Sequence, residues 1–356
     1  TAVDTLVAGT VGDVLRDCGT AHTQTAAATF SVTNLASDGT PSAAHTDANL
    51  VNPWGIALGS SGSFWIADNG KGVSSLYDAN GNRQSTVVTI APPAGGANPA
   101  TPTGIVFNST SDFGVTGGPS QFIFDTEDGT ISGWNSGNSA VVKVDKSTPA
   151  GSGAVYKGLA IGSVGTNNFL YATNFRAGTI EVFDKNFALT TVAGNFTDPS
   201  LPAGFAPFGI QNIGGKLYVT YAKQNAAKDG DVKGAGNGVV DVYSTDGTFI
   251  RRIASGGTLN SPWGLAIAPA SFGPFGSDLL VGNFGDGRIN AFKPDTGAFV
   301  GQLQDSSQNQ ISVDGLWGLT FGNGTTGNAN LLYISAGIGG EQHGLFGSIA
   351  VNPATP

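Results

Sequence analysis

The chain has 356 residues, 16 Lys and Arg against 25 Asp and Glu, and a formal net charge of -9 with only 12% charged residues. So few and so scattered basic groups argue against nucleic acid or an anionic membrane surface as a partner, because phosphate binding needs concentrated Lys and Arg. A hydrophobic share of 40% with 55 glycines marks a turn-rich all-β chain rather than disorder, and no run reaches the ~18 apolar residues of a membrane span.

Residues 1–28 read as an N-terminal extension, with Val3, Leu6, Val7, Val11, Val14 and Leu15 as its apolar contacts. Cys18 is the single cysteine, so no intrachain disulfide forms; it is either a buried thiol or one that pairs with another chain. Methionine is absent. Together with the Ser/Thr/Asn/Gly-rich, Lys-poor balance, this predicts a secreted or cell-surface protein trimmed of its signal peptide. The sequons at Asn108, Asn195 and Asn323 matter only in a host that glycosylates.

From Phe30 the alternation FSVTNLA reads as a strand, and six copies of one unit follow. They begin at NPWGIAL (52–58), TPTGIVF (101–107), VYKGLAI (155–161), APFGIQN (206–212), SPWGLAI (261–267) and DGLWGLTF (314–321). In the first unit GIAL (55–58), FWIAD (64–68), GVSSLYD (72–78) and STVVTI (85–90) give four strands from the axis outward. One such sheet cannot bury both faces alone, so a spacing of roughly 50 residues predicts sheets arranged radially. The sixth unit ends after its third strand, and Phe30–Ala36 supplies the missing fourth. That splice closes the ring and removes two exposed sheet edges. The expected architecture is all-β, a six-bladed β-propeller of four-stranded antiparallel blades over 29–353, with 354–356 as a tail.

PWGIAL…FWIADNGKGVSSLYD resembles an NHL-type propeller repeat. The segments NPWGIAL with FWIADNG (52–70), YAKQNAAKDGDVKGAGNGVVDVY (221–243) and SAGIGGEQHGLFGSIA (335–350) resemble an uncharacterised family of exported bacterial β-propellers, some with a C-terminal sorting tail. The resemblance covers roughly residues 30–352 and implies the fold and export, with no activity to carry over.

In an up-and-down sheet the start of the innermost strand and the end of the second lie on one edge, so their loops crowd one face around the axis. The residues before the inner-strand glycine form a ring there: Trp54, Thr103, Lys157, Phe208, Trp263 and Trp317. These indoles either plug the channel as core or offer an aromatic platform to a small molecule, glycan or protein, with Trp54, Lys157, Phe208, Trp263 and Trp317 as the binding set. A second ring ends the second strands and includes Asp68, Asn69, Asp125, Asn174 and Asn283. Turn chemistry accounts for most of these residues. Asn69, Asn174 and Asn283 fall in alternate blades, however, and oxygens converging on the axis would suit a hard cation such as Ca2+.

Ring closure makes blades six and one neighbours, which gathers His343 and Glu341 of GGEQHG with His45 and Asp47. Imidazole beside carboxylate suits loop capping, general acid/base work or a transition metal. There is no Ser-nucleophile motif, Cys/His pair or HExxH string, so covalent hydrolysis and zincin chemistry have no support. The first expectation is a binding or scaffolding module. The alternatives are a metal-assisted lyase or lactone hydrolase with an axial site, or a structural protein that self-assembles through residues 1–28.

Overall fold

A computed structural model describes residues 28–60, 62–148 and 153–352. The expectations for residues 1–27, Cys18 among them, and for the tail lie outside the described residues. Among those described, six antiparallel sheets are arranged as blades. Blade one runs outward through Pro53–Leu58, Phe64–Asp68, Val73–Tyr77 and Arg83–Thr89. Blades two to five repeat that order from innermost strands Pro102–Phe107, Tyr156–Val164, Phe205–Ile213 and Pro262–Ile267. Blade six has Leu316–Phe321, Leu332–Ala336 and Leu345–Asn352, and Thr29–Ser37 completes it from the other end of the chain. The closing strand pairs antiparallel, Thr29 opposite Asn352 and Ser37 opposite Leu345, with a bulge between Asn34 and Ala36. A two-residue strand, His45–Thr46, then runs parallel beside Ala36 and Ser37.

The second and third strands are largely buried on both faces because each blade packs against two neighbours. Buried side chains accordingly form one cluster at each blade junction. Leu35, Phe64, Ile66, Tyr77 and Phe346 join blades six and one, for example, while Phe30, Phe272, Leu280, Leu316 and Ile349 join five and six. A separate aromatic cluster fills the axis.

The inner-strand glycines owe their place to close approach rather than to special backbone angles. A Cβ on Gly55 would lie 2.7 Å from Thr103 O, and one on Gly158 would lie 2.9 Å from Phe208 O. Gly104, Gly209, Gly264 and Gly318 would meet Leu159 N, Trp263 O, Trp317 O and Trp54 O in the same way. Each glycine thus abuts the backbone of the next blade, and the sixth returns to the first. The glycines before the third strands have the other role: Gly72, Gly129, Gly178 and Gly287 hold φ of 64°, 84°, 69° and 71°.

Pairing slips at every inner-strand glycine, as between Pro53 and Ile56 or Pro207 and Ile210. Second-strand side chains satisfy what the slip frees. Asp125 Oδ1 accepts from Gly104 N at 2.6 Å, Thr220 Oγ1 from Gly209 N at 2.8 Å, and Ser335 Oγ from Gly318 N at 2.9 Å. Thr173 Oγ1 donates across the junction to Phe208 O at 2.8 Å.

Candidate functional site

The residue before each glycine is driven inward by that slip, and four of the six, Trp54, Phe208, Trp263 and Trp317, make a plug with Phe284. Trp54 and Trp317 stack at 3.4 Å between ring centroids, and Trp317 stacks on Phe284 at 3.8 Å. Trp263 meets both indoles edge-on at 5.9 and 5.8 Å, and Phe208 meets Trp317 at 5.8 Å. Trp54, Phe208 and Trp317 are no more than 2% exposed, so their faces are covered by one another rather than open to a ligand. Trp263 alone among the three ring indoles is half-buried. Below the plug the axis narrows to a cavity of about 30 Å³ lined by the glycine ring, then widens to about 240 Å³ near Leu58, Phe107, Ile161 and Asn212.

Above the plug lies a charged mouth. The residues that follow the register positions opposite Pro53 and its equivalents surround it: Asn69, Glu127, Phe175, Phe284 and Gly337 just past their second strands, and Ala222 near the end of Lys216–Lys223, polar on blades one and two and apolar on three to five. Lys157, buried to 4% exposure, pairs through Nζ with Glu127 Oε1 and lies 5.3 Å from the Trp54 ring and 5.9 Å from the Phe175 ring. Asn69 Nδ2 donates to Glu127 Oε2 at 3.0 Å. Asn52 Nδ2 donates to Asn69 Oδ1 at 3.2 Å and to Glu341 Oε2 at 2.9 Å, while Asn52 Oδ1 accepts from Trp317 Nε1 at 3.0 Å. A continuous polar run therefore leads from Glu341 through two amides and Glu127 to Lys157, resting on the plug. The long blade-four loop brings Lys233 Nζ to 3.8 Å from the Phe284 ring. Burial, and then the charge of Glu127, raise the Glu341 carboxyl above its usual range; Asn52, Lys157 and Lys233 draw it back. Glu341 also holds φ of 70°, uncommon for a residue with a Cβ and a feature that gathers at functional sites.

The sequence expectations divide here. Asn69, Asn174 and Asn283 do not form one ring. Strand register places Asp68, Asn174 and Asn283 at equivalent positions, opposite Pro53, Tyr156 and Pro262. Asn69 falls one residue further on. Asn174 Oδ1 accepts from Ala177 N at 3.2 Å and Val155 N at 3.4 Å, and Asn283 Oδ1 from Asn260 N at 3.1 Å. The Asn174 oxygen caps its own turn, and the Asn283 oxygen holds the connection that enters its blade. Asp125 staples its blade as described, and burial pushes its carboxyl up to about 7 against the Thr103 hydroxyl and Gly104 amide. Among the described residues no three His, Cys, Asp or Glu side chains come together as a metal-binding group.

The four residues grouped at the seam separate as well. His343 Nδ1 lies 2.9 Å from Asp38 Oδ2, a residue outside the repeats. Glu341 faces the mouth. Asp47 Oδ2 accepts from Tyr77 OH at 2.8 Å and lies 3.6 Å from Arg83 Nε. His45 sits on the outer edge of blade six, beside Ala36. Composition and motif gave no signal for Glu127, Asn52 or Asp38. Glu127 and Asn52 are the turn residues flanking strand ends already assigned, and the signal that could have found them is equivalence by register.

Fold and site together define a six-bladed β-propeller with a charged mouth over an aromatic axial plug. By sequence the chain is 36% identical to one uncharacterised protein of Acanthamoeba polyphaga mimivirus over 91% of this chain and 81% of that protein. A second uncharacterised mimivirus protein is 35% identical, over 91% and 86%. The chain belongs to the family of these mimivirus proteins. This corrects the resemblance to an exported bacterial family, and no family model matches. Solved structures share the fold at much lower identity. The soluble aldose sugar dehydrogenase of Escherichia coli has a TM-score of 0.56 at 12% identity, covering 90% of this chain and 99% of its own. A gluconolactonase of Xanthomonas campestris has 0.53 at 13%, covering 85% and 87%. No helix among the described residues is long and apolar enough to cross a membrane.

Proposed function

We propose that the protein is a ligand-binding propeller whose site is the charged mouth, and that its ligand is a small polar molecule or glycan end. The observation that carries this is the polar run from Glu341 to Lys157. Buried amides, carboxylates and an ammonium at the axis oppose folding where apolar side chains would fill the space as well, yet here they are joined end to end above a finished plug. Glu127 and Glu341, each partly exposed along that run, offer acceptors, and Lys233 with Lys157 behind Glu127 offers charge. The half-buried Trp263 and the apolar side of the rim would meet the ligand's apolar face. The indole stack supports the mouth rather than serving as the contact itself.

A thermal-shift screen of mono- and oligosaccharides and small polar metabolites tests this, since a ligand bound only to the folded state raises the melting temperature. A hit should vanish in Glu341→Gln and in Asn69→Ala while both keep the wild-type circular dichroism. A hit that survives both substitutions would place the ligand elsewhere.

A second reading, a lyase or lactone hydrolase, has one observation in its favour. The raised Glu341 carboxyl holds its proton closer to neutral pH, as a general acid must. The likeness to a gluconolactonase and a sugar dehydrogenase supports the fold alone.

A further inference from the structure

The junction between blade one and the closing blade six contains a fully buried carboxylate. Asp68 is 0% exposed, and neither carboxylate oxygen has a hydrogen-bond partner among the described residues. It stands at the N-cap of the turn Asn69–Lys71 but makes no side-chain cap, although capping is the ordinary use of Asp there. Its equivalents in blades three and five have engaged oxygens: Asn174 Oδ1 caps its turn at Ala177 N, and Asn283 Oδ1 accepts from Asn260 N. Register pairs Asp68 with Val73, Ile66 with Ser75 and Phe64 with Tyr77, so strand alternation puts Asp68, Ser75 and Tyr77 on one face of the sheet. That face packs on blade six, where Ile66 and Tyr77 meet Leu35 and Phe346.

The Ser75 hydroxyl is also fully buried and has no hydrogen-bond partner among the described residues. Across the junction Asp47, engaged by Tyr77 and Arg83, adds a second negative charge. Burial first, then Asp47, lift the Asp68 carboxyl well above its usual range; Ser75 draws it back without reaching hydrogen-bond geometry. Two unpartnered carboxylate oxygens, an unpartnered hydroxyl on the same face and a nearby second carboxylate form an all-oxygen environment, the kind a hard cation selects.

We infer that Asp68 and the Ser75 hydroxyl ligate a hard cation inside this junction, so that the ion clamps the closure of the ring. The chemistry is that of calcium, magnesium or sodium, and the arms of the test separate them.

Wild-type protein is dialysed against chelator, its retained metal is counted by plasma mass spectrometry, and it is melted in CaCl2, MgCl2 or NaCl at matched ionic strength. One of the three salts should raise the melting temperature in a concentration-dependent way. Asp68→Asn should lose that response, and Asp125→Asn, a buried carboxylate with its own partners, should keep it. Wild type that retains no ion and responds equally to all three salts overturns the proposal and leaves Asp68 a buried neutral acid. An unchanged response in Asp68→Asn overturns it too. Should Asp68→Asn fail to fold, Ser75→Ala, which removes one ligand and little volume, takes its place; it should require more of the same salt for the same shift, and a response equal to wild type would sink the idea.

Discussion

The Lys157 ammonium is buried between the Trp54 and Phe175 rings, and its carboxylate partner, Glu127, comes from the neighbouring blade. The two sides of this pair are unequal. Lys157 is 5% exposed at its side chain and Glu127 26%, so Glu127 can turn to water and Lys157 cannot. Glu127→Gln should therefore destabilise by about 3–5 kcal/mol, the cost of leaving a buried charge uncompensated. Lys157→Met should cost less, and the double variant less than Glu127→Gln alone. A denaturation cycle over the four proteins measures this, and simple additivity would show that the pair is not coupled.

The glycine ring has no room for a methyl group. Gly209→Ala sets a Cβ against Trp263 O, where backbone rather than a flexible side chain must give way. The expected loss is about 3 kcal/mol, at the upper end for overpacking. Gly165→Ala, in the open turn of blade three with nothing within 4 Å of its Cβ, meets only the cost of a positive φ. Melting curves for the two should differ clearly.

Asp125 makes stability depend on pH. Its carboxyl sits at about 7 in the folded protein, above its unfolded value of 3.8, so between those values the native state binds more protons than the unfolded one. Stability from this group is present in full below about pH 4 and declines as pH rises through 7. Asp125→Asn keeps an acceptor for the Gly104 amide and removes the titration. The difference in unfolding free energy between variant and wild type should shift in the variant's favour from pH 4 to 7; a difference independent of pH would contradict the assignment.

Ring closure rests on Phe30. Its side chain is 2% exposed and packs on Phe272 and Phe275 of blade five at 5.1 and 5.7 Å, while Phe30 N donates to Gln304 O at 2.8 Å. Phe30→Ala should cost about 3–5 kcal/mol. Val32, on the same strand but 38% exposed, should cost below about 1 kcal/mol as Val32→Ala. Equal effects in urea melts would mean that the strand contributes through its backbone alone.

The fold was legible because six copies of one hydrophobic pattern admit few ways to bury both faces of each sheet. Even the splice at Phe30 could be read from the missing fourth strand of the last unit. The mouth was much less legible. Counting Asn from blade to blade put Asn69 in line with Asn174 and Asn283, but strand register places Asp68 there, a shift of one residue that turns a capping oxygen into a mouth-lining amide. His343 was matched to carboxylates near it in the repeats, whereas its partner Asp38 comes from the connection after the closing strand, where no repeat fixes position. The tryptophans were placed correctly on the axis, but only the packed geometry shows that they cover one another.

The pairing of Thr29–Ser37 with Leu345–Asn352 joins residues as far apart as Ser31 and Asn352, whose side chains hydrogen-bond across 321 positions. A ribosome releases the first of these strands long before the second exists. While the residues between the two strands are being made, then, a nine-residue strand with its buried Phe30 has no edge to pair with, and five blades wait as an open arc with unpaired rims at both ends. The emergence of Leu345–Asn352 converts that arc into a ring in one step, which makes the nascent chain most exposed to strand-swapping with a neighbour just before that strand appears.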